Sequence, residues 1–161
     1  MELTQARVRE LFDYLDHGCL VWRVTKSNRS VSGSIAGSLR KDRYRTIRID
    51  GRTYYAHRLV YLWHHGEMPD VIDHADGNQV NNRIENLRKA DMRLNQGNKR
   101  KKSRGDLPKG VDWRPRMNKW QSRITVNSKV VHLGTFDSAE AAHAAYVEAA
   151  QKHFGEFARA A

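Results

Sequence analysis

Between Ile72 and Asn95 the chain reads IDHADGNQVNNRIENLRKADMRLN, and this stretch restricts the fold more than any other. VIDHA is a short apolar run. DGNQVNNRIEN follows, crowded with Gly, Asn and Asp, which favour turns for distinct backbone reasons. LRKA is a second short run, and ADMRLNQGN opens a helical one. The order predicted is strand, loop, strand, helix. Laid over it are an acid-His pair, Asp73-His74, then Asn86-Leu87, then Asn95.

Those residue types suit phosphodiester hydrolysis. Such a reaction needs a group to take a proton from water, positive charge on the phosphate, and stabilisation of the departing 3′ oxygen. A histidine titrates near neutrality and suits the first task, so His74 is the expected general base. Asp73 and Asn95 offer hard oxygen donors and are the expected ligands of a divalent cation, magnesium, with manganese able to substitute. Neighbours in a strand point to opposite faces, so Asp73 and His74 need a bulged or twisted strand to serve one site. Asn86 is expected to tie the loop to the backbone near His74 and orient the imidazole. Arg83 offers charge to a phosphate, and His57, in AHRLV, can face the same site. Each residue alone is weak evidence; the spacing of the set carries the reading.

Charge and cysteine usage narrow the partners. The chain has 161 residues and a formal net charge of +11, which points to a polyanion whose counterions are released on binding. Cys19 is the single cysteine. It allows neither an internal disulfide nor a cysteine-based zinc site, so no structural zinc is expected, and Cys19 reads as a small core residue. No secretory leader or membrane-spanning run is evident; the expected location is cytoplasmic, nucleoid-associated in a bacterial or phage-infected host, with no membrane partner.

Upstream of the site, ELTQARVRELFDYLD predicts a helix capped by Thr4, with Val8, Leu11, Phe12 and Leu15 at helical spacing and Gly18 ending it. CLVWRVT predicts a strand with Leu20, Trp22 and Val24 on one face. YRTIRID-GR-TYYAHRL predicts a hairpin around Asp50-Gly51. His57 to His64 predicts a short helix burying Leu59, Val60 and Trp63, closed by Pro69.

HRLVYLWHHGEMP, IDHADGNQVNNRIENLR and the final Asn95 and Asn98 make residues 40–98 similar to the HNH homing endonucleases of phages and mobile introns. The resemblance implies a ββα-metal fold and magnesium-dependent DNA cleavage with one metal ion per site. It matches Asp73 and Asn95 to the metal ligands and His74 to the base. Arg43-Tyr44 stands where Gly-Tyr is usual, and MRLNQGN lacks the Ser-Glu-Asn often seen at the helix start.

Residues 99–108, KRKKSRGDLP, are basic at five of the first six positions and read as a linker in which Lys99, Arg100, Lys101 and Lys102 can meet phosphates. Beyond it, GVDWRPR, KWQSRITVN and KVVHLGTF predict three strands. DSAEAAHAAYVEAAQKHFG predicts a helix capped by Asp137 or Ser138, with a capping box from Asp137 to Glu140 and a small face of Ala141, Ala142, Ala145 and Ala149. This segment resembles an APETALA2/ERF-type domain, most specifically in LGTFDSAEAAHAAY. The resemblance implies a three-stranded antiparallel sheet packed on one helix, with the sheet entering the DNA major groove. Arg114, Arg116, Arg123 and Thr125 are the expected sheet-face contacts; Lys109, Lys119 and Lys129 are the expected phosphate contacts. Alternation with Ile124 turns Trp120 inward, as core. Asp112 stands where plant members place a DNA-contacting arginine, and Arg123 replaces an acidic residue.

The fold class expected is α+β: an HNH nuclease domain over 1–98, the linker over 99–108 and the DNA-binding domain over 109–161. The function expected is sequence-selective, metal-dependent cleavage of double-stranded DNA by a monomer that nicks one strand per binding event, with a dimer as the alternative oligomer. Two other functions compete with it. One is a DNA-binding transcriptional regulator with a degenerate nuclease domain. The other is a nuclease for branched or damaged DNA, or for RNA.

Overall fold

The computed structural model describes residues 3–28, 30–91 and 107–158. Asn95 and the basic residues Lys99, Arg100, Lys101 and Lys102 lie outside the described residues, as does the helix expected after LRKA. The chain divides into two compact units, Met1–Ala90 and Asp91–Ala161. Among the described residues no helix is long and apolar enough to cross a membrane.

The first unit opens with α1 (Gln5–Leu11), capped as expected by Thr4, whose Oγ1 accepts from the Arg7 N–H at 3.3 Å. The helix stops at Leu11, earlier than its periodicity predicts. Phe12–Leu15 is instead a strand, β1, paired antiparallel with β2 (Cys19–Trp22) around Gly18. Packing explains the change. Phe12 lies opposite Trp22, their ring centroids 4.5 Å apart, and both are buried. Aromatic residues gain more on a pleated, half-covered surface than in another helical turn. In β2, Leu20, Val21 and Trp22 are all buried, against the expected single face, and residues 34–36 pair along its second edge. Val24 is exposed and Cys19 is only half-buried.

β3 (Ser38–Leu39), β4 (Arg45–Ile49) and β5 (Arg52–Tyr55) form an antiparallel sheet in chain order. The β4–β5 turn is Asp50-Gly51, with φ of 47° and 83°, the left-handed pair a two-residue hairpin demands. Arg43 takes φ 67° where glycine is usual, so the turn keeps a glycine-like backbone with an arginine in place. α2 (Ala56–His65) buries Leu59, Val60 and Leu62 and ends at Gly66. β6 (Val71–His74) pairs antiparallel with β7 (Leu87–Ala90). The core joins Val8, Leu11, Phe12, Leu20 and Trp22 to Ile47, Leu59, Val60, Ile72 and Leu87, so α1, β1, β2, β4 and α2 share one core with the β6–β7 pair.

In the second unit β8 (Val111–Arg114), β9 (Lys119–Val126) and β10 (Lys129–Phe136) form an antiparallel sheet in the order β10-β9-β8, packed on α3 (Ala139–Phe154). This is the arrangement expected. The cap differs in detail: Ser138 caps α3 by accepting from the Ala141 N–H, while Asp137 pairs with Lys119, so the expected capping box from Asp137 is not formed. The helix buries Ala142, Tyr146, Ala150 and Phe154, four residues apart, rather than Ala141, which is exposed. The ring of Tyr146 lies against Gly110, where an added Cβ would come within 2.0 Å of it.

Phe12 is fully buried and has replaced a helical turn with a strand, so Phe12→Ala is expected to cost about 3–5 kcal/mol. Urea unfolding followed by tryptophan fluorescence measures it.

Candidate functional site

His74 ends β6 and is 5 % exposed. Its Nε2 lies 2.9 Å from Asn82 Oδ1. An amide oxygen only accepts, so Nε2 carries the hydrogen and, in the neutral ring, Nδ1 holds the lone pair. The ring also packs edge-on against His57, centroids 5.2 Å apart, and 6.2 Å from Tyr44. Tyr55 stacks on His57 and meets Tyr44, completing an aromatic wall along one side of the imidazole.

His57 belongs to this wall, as its position in AHRLV allowed. It is buried on α2, and burial first, then the neighbouring His74 and Arg58, pushes its pKa from 6.5 down to about 3. It is therefore uncharged at neutral pH. Burial likewise raises the Tyr44 hydroxyl above its ordinary range, against a hydrogen bond with Gln79 that lowers it.

The loop between β6 and β7 is closed by side chains. Asp76 Oδ1 accepts from the Asn78 N–H at 2.7 Å and from Asn86 Nδ2 at 3.0 Å, and its Oδ2 accepts from Asn81 Nδ2 at 2.7 Å. Burial raises the Asp76 pKa, but those hydrogen bonds outweigh it and hold the carboxyl below its usual range. Asn86 is buried. It accepts the Asp76 N–H on Oδ1 and donates from Nδ2 to the Asn81 carbonyl, while its backbone carbonyl takes the Ala75 N–H. Tyr14 Oη, from β1, accepts the Ile84 N–H at 3.1 Å. These bonds deliver Asn82 to His74. Asn82, Asp76 and Tyr44 were not singled out from the sequence; Asn82 and Asp76 lay within a loop read for turn propensity alone.

Asp73, also 5 % exposed, lies opposite Arg88, whose Nε and Nη2 both donate to its Oδ2 at 2.9 and 2.8 Å. Asp73 and His74 are consecutive in an unbroken register, Asp73↔Arg88 and His74↔Leu87, so of the bulged or twisted strand expected there, the bulge is absent. Alternation sends their side chains to opposite faces at the strand's end. Among the described residues no three His, Cys, Asp or Glu side chains group to hold a metal. A buried Asp73 carboxylate is a hard oxygen donor, which fits a cation that takes few protein ligands and keeps several waters. Arg83 is exposed at the loop's end.

Strand alternation sorts the second unit. Val111, Ser122 and Ile124 lie on the face covered by α3, together with half-buried Trp120, which meets Trp113 across the ladder at 4.8 Å. Asp112, Arg114, Gln121, Arg123 and Thr125 share the open face. On it, Arg123 forms an ion pair with Asp112, its Nε 2.7 Å from Oδ2, and Arg114 Nε donates to Gln121 Oε1. Arg116 is exposed in the turn Pro115–Met117, and Lys129 is exposed at the β9–β10 hairpin. Lys109 stands 5.8 Å over the Tyr146 ring and Lys119 pairs with Asp137, so each of these two has a partner within the unit.

Known proteins align with both units. Residues 54–96 match the family model of the HNH endonuclease, and residues 107–156 match that of the AP2 domain. The chain is similar to Protein 3.8 of Escherichia phage T7, 32% identical over 107 residues, which is 63% of this chain and 88% of that protein. No solved structure matches.

Two outcomes test the geometry. In the unfolded chain His57 titrates near 6.5 and in the fold near 3, so the unfolded state binds the extra proton between those values. Its contribution is whole above pH 6.5 and is lost as pH falls toward 3. Stability should drop by on the order of 2 kcal/mol between pH 7 and pH 5 on its account, and His57→Leu should flatten that slope in urea unfolding. Gly18 has φ +92°, and a Cβ there would sit 2.5 Å from the Arg83 nitrogen and 2.6 Å from the Asn82 carbonyl carbon. Gly18→Ala should cost about 2 kcal/mol or more. Gly33→Ala, also at positive φ but in open space, should cost less, both variants being read by urea unfolding.

Proposed function

Because the chain belongs to the family of phage T7 Protein 3.8 and joins an HNH endonuclease domain to an AP2 domain, we propose that it is a metal-dependent, sequence-selective DNA endonuclease. The observation that carries this reading is the buried His74 whose Nε2 is pinned by Asn82, with the buried Asp73 as the preceding residue of the same strand. An imidazole held in one tautomer keeps its basic nitrogen aimed for proton transfer.

In this reading His74 Nδ1 takes a proton from water. The water oxygen bonds to phosphorus, the bond from phosphorus to the 3′ oxygen breaks, and that oxygen takes a proton from solvent water, leaving a 5′-phosphate and a 3′-hydroxyl. Asp73 and Asn95 would hold the divalent ion, magnesium or manganese. Bound there, that ion supplies Lewis-acid neutralisation of the charge growing on the phosphate and the leaving oxygen. Asn86 and Asp76 act by keeping the loop closed, which keeps Asn82 on His74. His57, neutral at working pH, packs the imidazole in place and takes no proton. Arg83, exposed at the loop's end, meets a flanking phosphate.

The three-stranded sheet positions the cut. Two neighbouring strands form a β-ribbon, which the B-DNA major groove admits and the A-form RNA major groove does not. Duplex DNA is therefore the substrate. A small nuclease unit has little surface for sequence discrimination, so base reading falls to the second unit over 109–161, joined by the basic stretch 99–108. With one His74 per chain, a monomer cuts one strand.

Supercoiled plasmid tests this directly. With magnesium the protein should yield open circles cut at fixed sites; EDTA should abolish the product, and His74→Ala should slow it at least about 100-fold. No cleavage of any substrate, with a gel shift retained, would replace this reading with that of a DNA-binding regulator.

A further inference from the structure

The open face of the β8–β9–β10 sheet holds two arginines in the same unusual way. In each, Nε is the nitrogen nearest an acceptor two positions along the neighbouring strand, in a hydrogen bond for Arg114 and an ion pair for Arg123. Gln121 and Asp112 are directly paired across β8 and β9; Arg114 reaches diagonally to Gln121, and Arg123 reaches diagonally to Asp112. Diagonal neighbours are within reach of long side chains. Neither arginine has any other partner among the described residues.

Which nitrogen is held matters. A guanidinium has five N–H groups in a rigid plane. The pair of Nη atoms forms the fork that bonds guanine O6 and N7 together. An acceptor on the fork would compete with a base; an acceptor on Nε leaves the fork outward and fixes its plane. Asp112 does the latter to Arg123, at 2.7 Å, with both side chains partly exposed at 34% and 42%. A carboxylate on a face that meets phosphates is otherwise an electrostatic liability, since it repels every DNA sequence equally. Its pairing with Arg123 offsets that cost with geometry.

We propose that Asp112 is a specificity-determining positioning residue: it holds Arg123 by Nε so that the guanidinium fork reads one guanine in the major groove. This rests on the reading of the sheet as the DNA-reading face. Gln121 plays the same part for Arg114, with no charge. Selectivity at the Arg123 position is then set by a residue that touches no base, and the preordered arginine loses less side-chain freedom on binding.

The test uses the full chain in EDTA, so that binding is read without cutting, and a pool of randomised duplex oligonucleotides sequenced after selection. The wild type should prefer guanine at a position where Arg123→Lys, a point charge without a fork, loses the preference. Asp112→Ala should lower that preference about tenfold at that position alone, while affinity for unselected DNA stays level or rises. Asp112→Asn keeps an acceptor oxygen without the charge and should retain most of the preference. If both variants bind all sequences more tightly with the guanine preference intact, Asp112 acts only as a negative charge and the inference is overturned. A wild type with no base preference anywhere would overturn the sheet-reading premise, and the inference with it. Circular dichroism identifies a variant that fails to fold, and the isosteric Asp112→Asn then carries the comparison against Arg123→Lys.

Discussion

Asp76 closes the loop between β6 and β7, and the arrangement around His74 depends on it. One carboxylate accepts from a backbone N–H and from the amides of Asn81 and Asn86. The peptide groups of an Asn-rich loop need partners when they are covered, and no strand ladder reaches them there. Side-chain oxygens serve instead. With a single cysteine the chain has no thiolate cage to brace its active loop, so polar cross-links and the packing of β1 and β2 take that load. Tyr14 on Ile84 and the close approach of Gly18 to Asn82 tie the N-terminal hairpin to the same loop.

His74 and Asp73 have different neighbours. His74 lies beside Tyr44 and a neutral His57, on which Tyr55 stacks, and near the Asp76 carboxylate. Asp73 is held by Arg88, and its charge still reaches the Tyr44 hydroxyl. Alternation along an unbulged strand directs the two side chains to opposite faces. The second unit uses neighbouring strands for another purpose. Its covered face is apolar around Ile124 and Tyr146, while its open face arrays arginines and their acceptors in cross-strand diagonals.

Much of this was legible beforehand, for reasons that differ by element. Asp50-Gly51 declared its hairpin through local backbone preference, and Thr4 its cap through local hydrogen bonding. The three C-terminal strands and their helix followed from hydrophobic period. The end of α1 did not, since Val8, Leu11 and Phe12 fit a helix as well as a helix–strand junction. Only the contact of Phe12 with Trp22 distinguishes them. Of the two cap candidates for α3, Ser138 is the one used, while Asp137 pairs with Lys119. Asn82 was hidden among Asn78, Asn81 and Asn86, four residues of one type within one loop, and composition cannot rank identical side chains.

The sequence by itself determined the chemistry available: an acid-His pair, an Asn-Leu and a final Asn at fixed spacing, a second segment with strand and helix periods of its own, and a strongly basic balance. These are properties of residue type and interval, which local physics reads directly. Tertiary structure alone decided which asparagine holds His74, that His57 stays neutral, that Arg88 faces Asp73, and that Asp112 grips Arg123 by Nε. Each depends on side chains far apart in the chain or across a strand pair meeting within hydrogen-bond reach, and on burial that only the folded core creates.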